Sequence, residues 1–306
     1  MLNNYLKHGF QNWGDDHAPE INISSVERIS VIKGSSGVRF GPEALGGAII
    51  VEPDPMKLRQ PYYLNINSGY QSNGRGNNFS IKTGNGYKNL GFNLGVNYMK
   101  IGDRHAPSYS LTNSGKEEKA FNFGFHYHLK NFDIKLYYNY VDLDLALLRS
   151  SIFHSGNAIS KALSSDVPLF IRPFSYDINE PNQIVKHHLA KASINWWYKE
   201  NEKVSLIIGR QLNKRKEFDV RRNAEKPIIN LDLISTDLML EWDHSFSENV
   251  EGLMGLHFFN QDNDNNPGTG TTPFIPNYNT NRYSFYLVEG LKLCLLNTSP
   301  SPRDRG

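Results

Sequence analysis

The chain has 306 residues, 39% of them hydrophobic, a formal net charge of +2 and a mean hydropathy of −0.52, which is polar for one continuous apolar core of that length. No apolar run approaches the roughly 20 residues of a spanning helix, so helical membrane insertion is excluded. Cys294 stands alone, which excludes an internal disulfide framework and a four-cysteine zinc site.

The N-terminal stretch MLNNYLKHGF has neither a basic n-region nor an apolar h-region, so either the protein is not exported or its start is missing. WGDDHAPEI follows and concentrates Asp15, Asp16, His17 and Glu20. Carboxylate oxygen beside imidazole nitrogen suits a divalent metal such as zinc. The same residues suit a solvated turn in which Asx side chains bond their own backbone, and the turn is the favoured expectation. Next comes GSSGVRFGPEALGGAII, residues 34 to 50, whose glycines suggest a phosphate loop. That loop needs a lysine and a hydroxyl residue after its last glycine, and Gly46 and Gly47 lead into Ala48, Ile49 and Ile50 instead. The dinucleotide spacing fails as well. Glycines here fit a turn-rich β segment with close backbone approaches.

Beyond residue 60 the pattern is alternation. In AFNFGFHYHL, residues 120 to 129, Phe121, Phe123, Phe125, Tyr127 and Leu129 share one face while Asn122, Gly124, His126 and His128 share the other. FDIKLYYNY follows two residues later with Phe132, Ile134, Leu136, Tyr138 and Tyr140 on one parity. Closing the hairpin at Lys130 and Asn131 predicts the pairs Leu129–Phe132, Tyr127–Ile134, Phe125–Leu136, Phe123–Tyr138 and Phe121–Tyr140, all apolar on one face. Similar segments at 62–71, 78–86, 90–100, 188–198, 203–213, 232–245, 249–261 and 281–291 bring the expectation to about ten strands.

Connections discriminate between a soluble sandwich and a membrane barrel. Tight links at Tyr87 to Asn89, Lys130 and Asn131, Asn201 and Glu202, and Ser247 and Glu248 alternate with wide ones at 72–77, 102–118, 144–187, 214–231 and 262–280. Short turns on one rim and long loops on the other mark an outer-membrane barrel, whose apolar face meets lipid and whose Asn, Gly and His face meets water. A soluble β-sandwich binding module has no reason to obey that parity, and it would have to bury Phe123, Phe125 and Leu136.

His126 and His128 would then both point into the lumen, as polar lining or as guides for a metal complex. His187 and His188 alternate faces and cannot chelate together. DNDNNP at 262 to 267 fails as a calcium loop because Pro267 and Pro273 occupy the glycine and glutamate positions. KRKEFDVRR, residues 214 to 222, places Arg215, Arg221 and Arg222 on a basic external loop suited to lipopolysaccharide phosphates or an anionic ligand, in preference to nucleic acid. No catalytic constellation stands out, so an enzyme is not expected.

VERISVIKGSSGVRFGPEALGGAIIVEPDP, residues 26 to 55, resembles the C-terminal end of the plug domain of TonB-dependent outer-membrane receptors. The residues that carry the resemblance are Glu27, Arg28, Gly34, Phe40, Gly41, Gly46 and Gly47 with the apolar run after them. KEFDVRR and NNPGTG resemble external loops of iron-complex receptors of Bacteroidota. The resemblance implies an all-β fold: the C-terminal part of a plug domain (1–55), then about ten antiparallel strands (61–291) of a larger, 22-stranded transmembrane β-barrel, truncated at both ends. It further implies a Gram-negative outer-membrane location, a TonB complex as partner of the full-length protein, and energised uptake of an iron-siderophore complex or metal. Zinc or an iron complex would be cargo and not cofactor, and the other partners would be membrane lipid and lipopolysaccharide. Some metal-importing receptors of this family carry an Asp-His pair in a comparable plug loop, which adds to the metal reading of Asp16 and His17. The alternative is a small, non-energised barrel acting as a porin or adhesin. Residues 292–306 lose the alternation, and their TSPSPRD resembles translated sequencing-adapter read-through or a flexible tail.

Overall fold

The computed structural model describes residues 21–33, 47–153, 155–200, 202–220, 225–247, 249–293 and 296–297. A short hairpin comes first, β1 (Val26–Ile32) against β2 (Ala48–Pro53). There follow β3 (Tyr63–Gln71), β4 (Gly76–Tyr87), β5 (Leu90–Ile101), the small hairpin of β6 (Arg104–His105) and β7 (Ser110–Leu111), β8 (Lys116–Leu129) and β9 (Phe132–Ala146). A helix, α1 (Gly156–Leu163), precedes β10 (Asn182–Lys199), β11 (Glu202–Phe218), β12 (Ile229–Ser247), β13 (Val250–Asn265), β14 (Tyr278–Leu293) and the two-residue β15 (Leu296–Asn297). Ten long strands, with β15 at one end, form one antiparallel sheet in which chain neighbours are spatial neighbours except where β5 passes directly to β8.

The expected hairpin register is the observed one: Leu129 pairs with Phe132, Tyr127 with Ile134, Phe125 with Leu136, Phe123 with Tyr138 and Phe121 with Tyr140. Apolar partners on one face fix register because a one-residue slip would turn every side chain over. The tight turns at 88–89 and 130–131 hold Lys88 and Lys130 at φ of 50° and 49°, the left-handed conformation that short hairpins require. The other two tight turns lie one residue away from their expected places, since β10 ends at Lys199 and β12 at Ser247.

On the wide-loop rim the strands run further out than the alternation predicts, apart from β3, which ends at Gln71 as expected. β8 starts at Lys116, β9 runs to Ala146, β10 starts at Asn182, β11 runs to Phe218 and β13 to Asn265. The extension KEEK at 116–119 is polar or charged on both faces and carries no period-two signal although its backbone stays paired, whereas on β9 the alternation continues with Val141, Leu143 and Leu145 on the inward parity. β14 likewise passes the expected end at 291 and reaches Leu293, where β15 adds a short pair.

Burial is inverted relative to a soluble protein. Asn93, Asn97, Asn122, Asn139, Ser205, Gln211 and Ser235 are buried, whereas Leu64, Phe92, Phe123, Leu136, Trp196, Leu240 and Phe285 are exposed. Phe123 is 36% and Leu136 43% exposed, and Phe125 is half-buried. A sandwich would bury them; a barrel wall presents them to lipid. At about 3.3 Å per residue, the outward run from Phe132 to Tyr140 on β9 spans roughly 26 Å along the strand, which at a tilt of about 40° covers about 20 Å of the ~25 Å apolar band of an outer-membrane barrel.

Candidate functional site

The site is the inner face of the sheet together with the segment docked on it. Gly84, Asn93, Gly124, Tyr137, Lys191 and Gly209 follow one another as pairing partners from β4 to β11 and make one inward row. Gly86, Gly91 and His126 form the next row towards the short turns. Gly86 and Gly91 mark where another backbone presses on the wall, and Gly124 where the Met56 side chain does. A Cβ at Gly86 would stand 2.3 Å from the Lys57 carbonyl oxygen, one at Gly91 2.7 Å from the same atom, and one at Gly124 2.8 Å from Met56. The connection from β2 to β3 therefore lies in a groove floored by glycine.

Polar groups beside the groove hold that connection. The Asn93 amide donates to the Asp54 carbonyl at 2.8 Å, and Lys82 pairs with the Asp54 carboxylate at 2.7 Å. The Gly86 N–H donates to the Gln60 carbonyl at 2.8 Å, and His126 Nδ1 meets the Met56 carbonyl at 2.9 Å. Asp133 lies 3.0 Å from His126 Nε2 and 2.7 Å from His128 Nδ1, which orients the imidazole toward Met56. Above the groove the β1–β2 hairpin meets the wall, with Asn22, Ser25, Val51 and Pro53 facing Tyr137 and Asn139 across a narrow cleft.

Gly47 closes the hairpin side of the motif. Its φ is +124° and a Cβ there would come within 2.5 Å of the Ile32 carbonyl oxygen, so glycine is required at that position. Arg28 pairs with Glu52 across β1 and β2. Arg28 therefore finds its counter-charge inside its own hairpin. The Arg28 hydrogen bond holds the Glu52 carboxyl below the usual carboxylate range.

The opposite half of the inner wall, β10 to β14, adds charged and hydrogen-bonded pairs. His257 Nε2 lies 3.0 Å from Asp237, the Tyr286 hydroxyl donates to Glu241 at 2.6 Å, and Lys191 is buried on the same face. The wide-loop rim above is tied together by side-chain to backbone bonds. Asn113 donates to the carbonyls of both Leu147 and Pro181 at 2.8 Å, and Arg75 and Arg149 lie 4.2 and 4.0 Å from the rings of Phe174 and Phe170.

The structure brings together only part of the expected site. His126 and His128 do face the interior, where they flank Asp133, and His126 also meets the Met56 carbonyl. Among the described residues no cluster of three or more His, Cys, Asp or Glu side chains is arranged for a metal. Arg215 is a correction: it lies on β11 and is 2% exposed, because KRKEF continues the strand and odd-numbered residues there face inward. Asp15, Asp16, His17, Glu20, Gly34, Phe40, Gly41, Gly46, Arg221 and Arg222 lie outside the described residues. Sequence reasoning missed the groove contacts of Asp54, Lys82 and Asn93; the signal was the run of inward glycines on adjacent strands at 84, 86, 91 and 124.

No protein-family profile and no curated protein matches the chain. Solved structures do. A siderophore receptor from Pseudomonas aeruginosa superposes with a TM-score of 0.60 at 10% identity, over 93% of this chain and 42% of that one. A ferric enterobactin receptor gives 0.65 at 11% identity over 90% and 44%, and a copper transporter gives 0.55 at 14% over 92% and 50%. The chain spans about half or less of the length of these proteins. At such identity the likeness is one of fold: the chain has the all-β architecture of a portion of the barrel in which these receptors are built.

Proposed function

We propose that this chain belongs to a TonB-energised outer-membrane receptor that takes up a scarce nutrient, an iron-siderophore complex or a metal. One observation carries the reading. A curved sheet with an apolar outside and a polar inside has a separate β hairpin seated against its interior, and its wall is shaped by glycines to receive the connecting segment. A passive porin or adhesin needs the sheet but has no use for that internal segment. The superposed receptors for siderophores, ferric enterobactin and copper support the same class of cargo. In this reading residues 1–55 are plug, 61–291 are wall, and Asp15, Asp16, His17 and Glu20 are the first residues to test for cargo contact.

The test is deletion of the gene in its own host followed by uptake of radiolabelled iron complexes under iron limitation. Loss of uptake, reproduced by removing TonB, supports the receptor. Unchanged iron uptake together with reduced passage of small hydrophilic solutes would favour the porin.

A further inference from the structure

His126 on β8 is held between two acceptors. Its Nδ1 lies 2.9 Å from the Met56 carbonyl oxygen and its Nε2 3.0 Å from Asp133 Oδ1. A carbonyl oxygen only accepts, so Nδ1 carries the proton of the first bond. A neutral imidazole has one N–H, and with it committed to Met56 the Nε2 lone pair would face a carboxylate oxygen at hydrogen-bond distance. The same Oδ1 is 2.7 Å from His128 Nδ1, the arrangement of an ionised carboxylate that accepts from two rings. The contacts are satisfied together only when His126 carries a second proton, on Nε2.

The side chains of His126 and Asp133 are 10% and 16% exposed, so water does little to replace their contact. His128, at 40%, can turn to solvent. Lys135 stands directly opposite His126 on β9 and opposes a positive ring, whereas Asp133 favours one and is the group in contact. β5 brings Gly91 opposite His126, and β10 brings Ser193 and Asn195 opposite Lys135 and Asp133, none of them titratable. On the connection, Lys57 and Arg59 follow Met56, and Asp54 is paired with Lys82 at 2.7 Å.

The Met56 carbonyl lies in the middle of the connection from β2 to β3. Groups that do not titrate fix its ends: the Asn93 amide holds the Asp54 carbonyl and the Gly86 N–H holds that of Gln60. Between them the His126 ring grips the backbone, and the Lys57 carbonyl is seated against Gly86 and Gly91 by shape.

We propose that His126, Asp133 and the Met56 carbonyl form a proton-dependent clamp on this connection. It is closed while the ring carries both protons. Loss of one leaves the ring able to keep Met56 or Asp133 and not both, which frees residues 55–59 from the wall. An imidazole changes charge between about pH 5 and about pH 8, so the clamp holds on the acid side and slackens as pH rises. The inference rests on the geometry of the wall and is independent of the cargo proposed above, so its failure would leave the uptake experiment untouched.

The test refolds the chain in detergent and follows trypsin cleavage after Lys57 and Arg59 at about pH 6 and about pH 8.5, on either side of the imidazole range. Each rate is divided by that of a synthetic peptide of residues 52–62, which cancels the pH dependence of trypsin itself. The corrected rate of the parent is expected to rise about tenfold on the alkaline side, the loss of a charge-assisted hydrogen bond. Asp133→Asn offers an amide that donates to Nε2 of a neutral ring, so its connection should stay protected at both pH values. His126→Gln should lose the step as well. Nitrogen NMR of the labelled His126 ring should show two protonated nitrogens in the parent on the acid side. Equal corrected rates in the parent, a step that persists in either variant, or a singly protonated ring on the acid side overturns the clamp. Asp133→Asn is nearly isosteric, so it and the NMR decide the matter even where His126→Gln fails to regain the β-sheet circular dichroism of the parent.

Discussion

Leu136 and Tyr137 are chain neighbours on β9, yet one is 43% exposed on the outside of the wall and the other 6% exposed on the inside. The outer surface is built from interchangeable apolar side chains that need only be hydrophobic, since lipid makes no shape demand. The inner surface is specific: glycines, asparagines and a histidine meet one particular backbone at defined atoms. One sheet therefore has two tolerances to change, chemical on the outside and steric on the inside.

The largest effect breaks the outer rule. Leu136→Arg should lower the stability of the bilayer-folded protein by about 2–4 kcal/mol, whereas Asn195→Arg on the inner face should cost under about 1 kcal/mol. Denaturant titrations in lipid vesicles compare them, and equal losses would remove the distinction between faces. Next comes the inner steric rule. Gly86→Val drives a side chain into the Lys57 carbonyl, 2.3 Å from the new Cβ, and should cost about 1–3 kcal/mol while opening residues 54–60 to protease. Gly69→Val, with nothing within 4 Å, is its control, and similar protease resistance in both variants would contradict the groove.

Smaller changes separate the groove's polar contacts from its shape. Asn93→Ala leaves the Asp54 carbonyl without its amide donor and should cost about 1 kcal/mol, read as faster cleavage between 54 and 60. The smallest effect lies in the hairpin. Glu52 has a lowered folded pKa, so its contribution is present above the unfolded carboxylate value and disappears as pH falls through the folded one. Amide exchange in β1 and β2 should therefore lose protection between about pH 5 and about pH 3 relative to Glu52→Gln, after correction for intrinsic exchange; identical pH profiles for the two proteins would show that the Arg28 pair contributes nothing.

These contrasts also explain what could be read beforehand. The register of β8 and β9 was legible because lipid imposes strict alternation, and five apolar pairs admit one alignment. Strand ends beyond the membrane were not, since Lys116 to Lys119 is polar on both faces and pairs through backbone alone. α1 was missed for a related reason: it lies within a wide loop and offers only Ile159 and Leu163 at helical spacing behind the Ser155 cap, whose side chain accepts from the Ala158 N–H. In the site, period two placed His126 and His128 on the inner face. His126, however, meets a segment 70 residues earlier in the chain, and no local pattern encodes that meeting. Arg215 was misplaced because a basic run resembles a loop until its parity on β11 is known.

The central claim is that even-numbered residues of β9 face lipid and odd-numbered ones face the interior. With Cys294 replaced by Ser, single cysteines at positions 132 to 140 would be labelled with a fluorophore after folding into vesicles and tested with a lipid-soluble and a water-soluble quencher. The account predicts that labels at 132, 134, 136, 138 and 140 answer only to the lipid quencher and that labels at 133, 135, 137 and 139 do not. A flat profile, or even positions shielded from both quenchers as in a sandwich core, would contradict it.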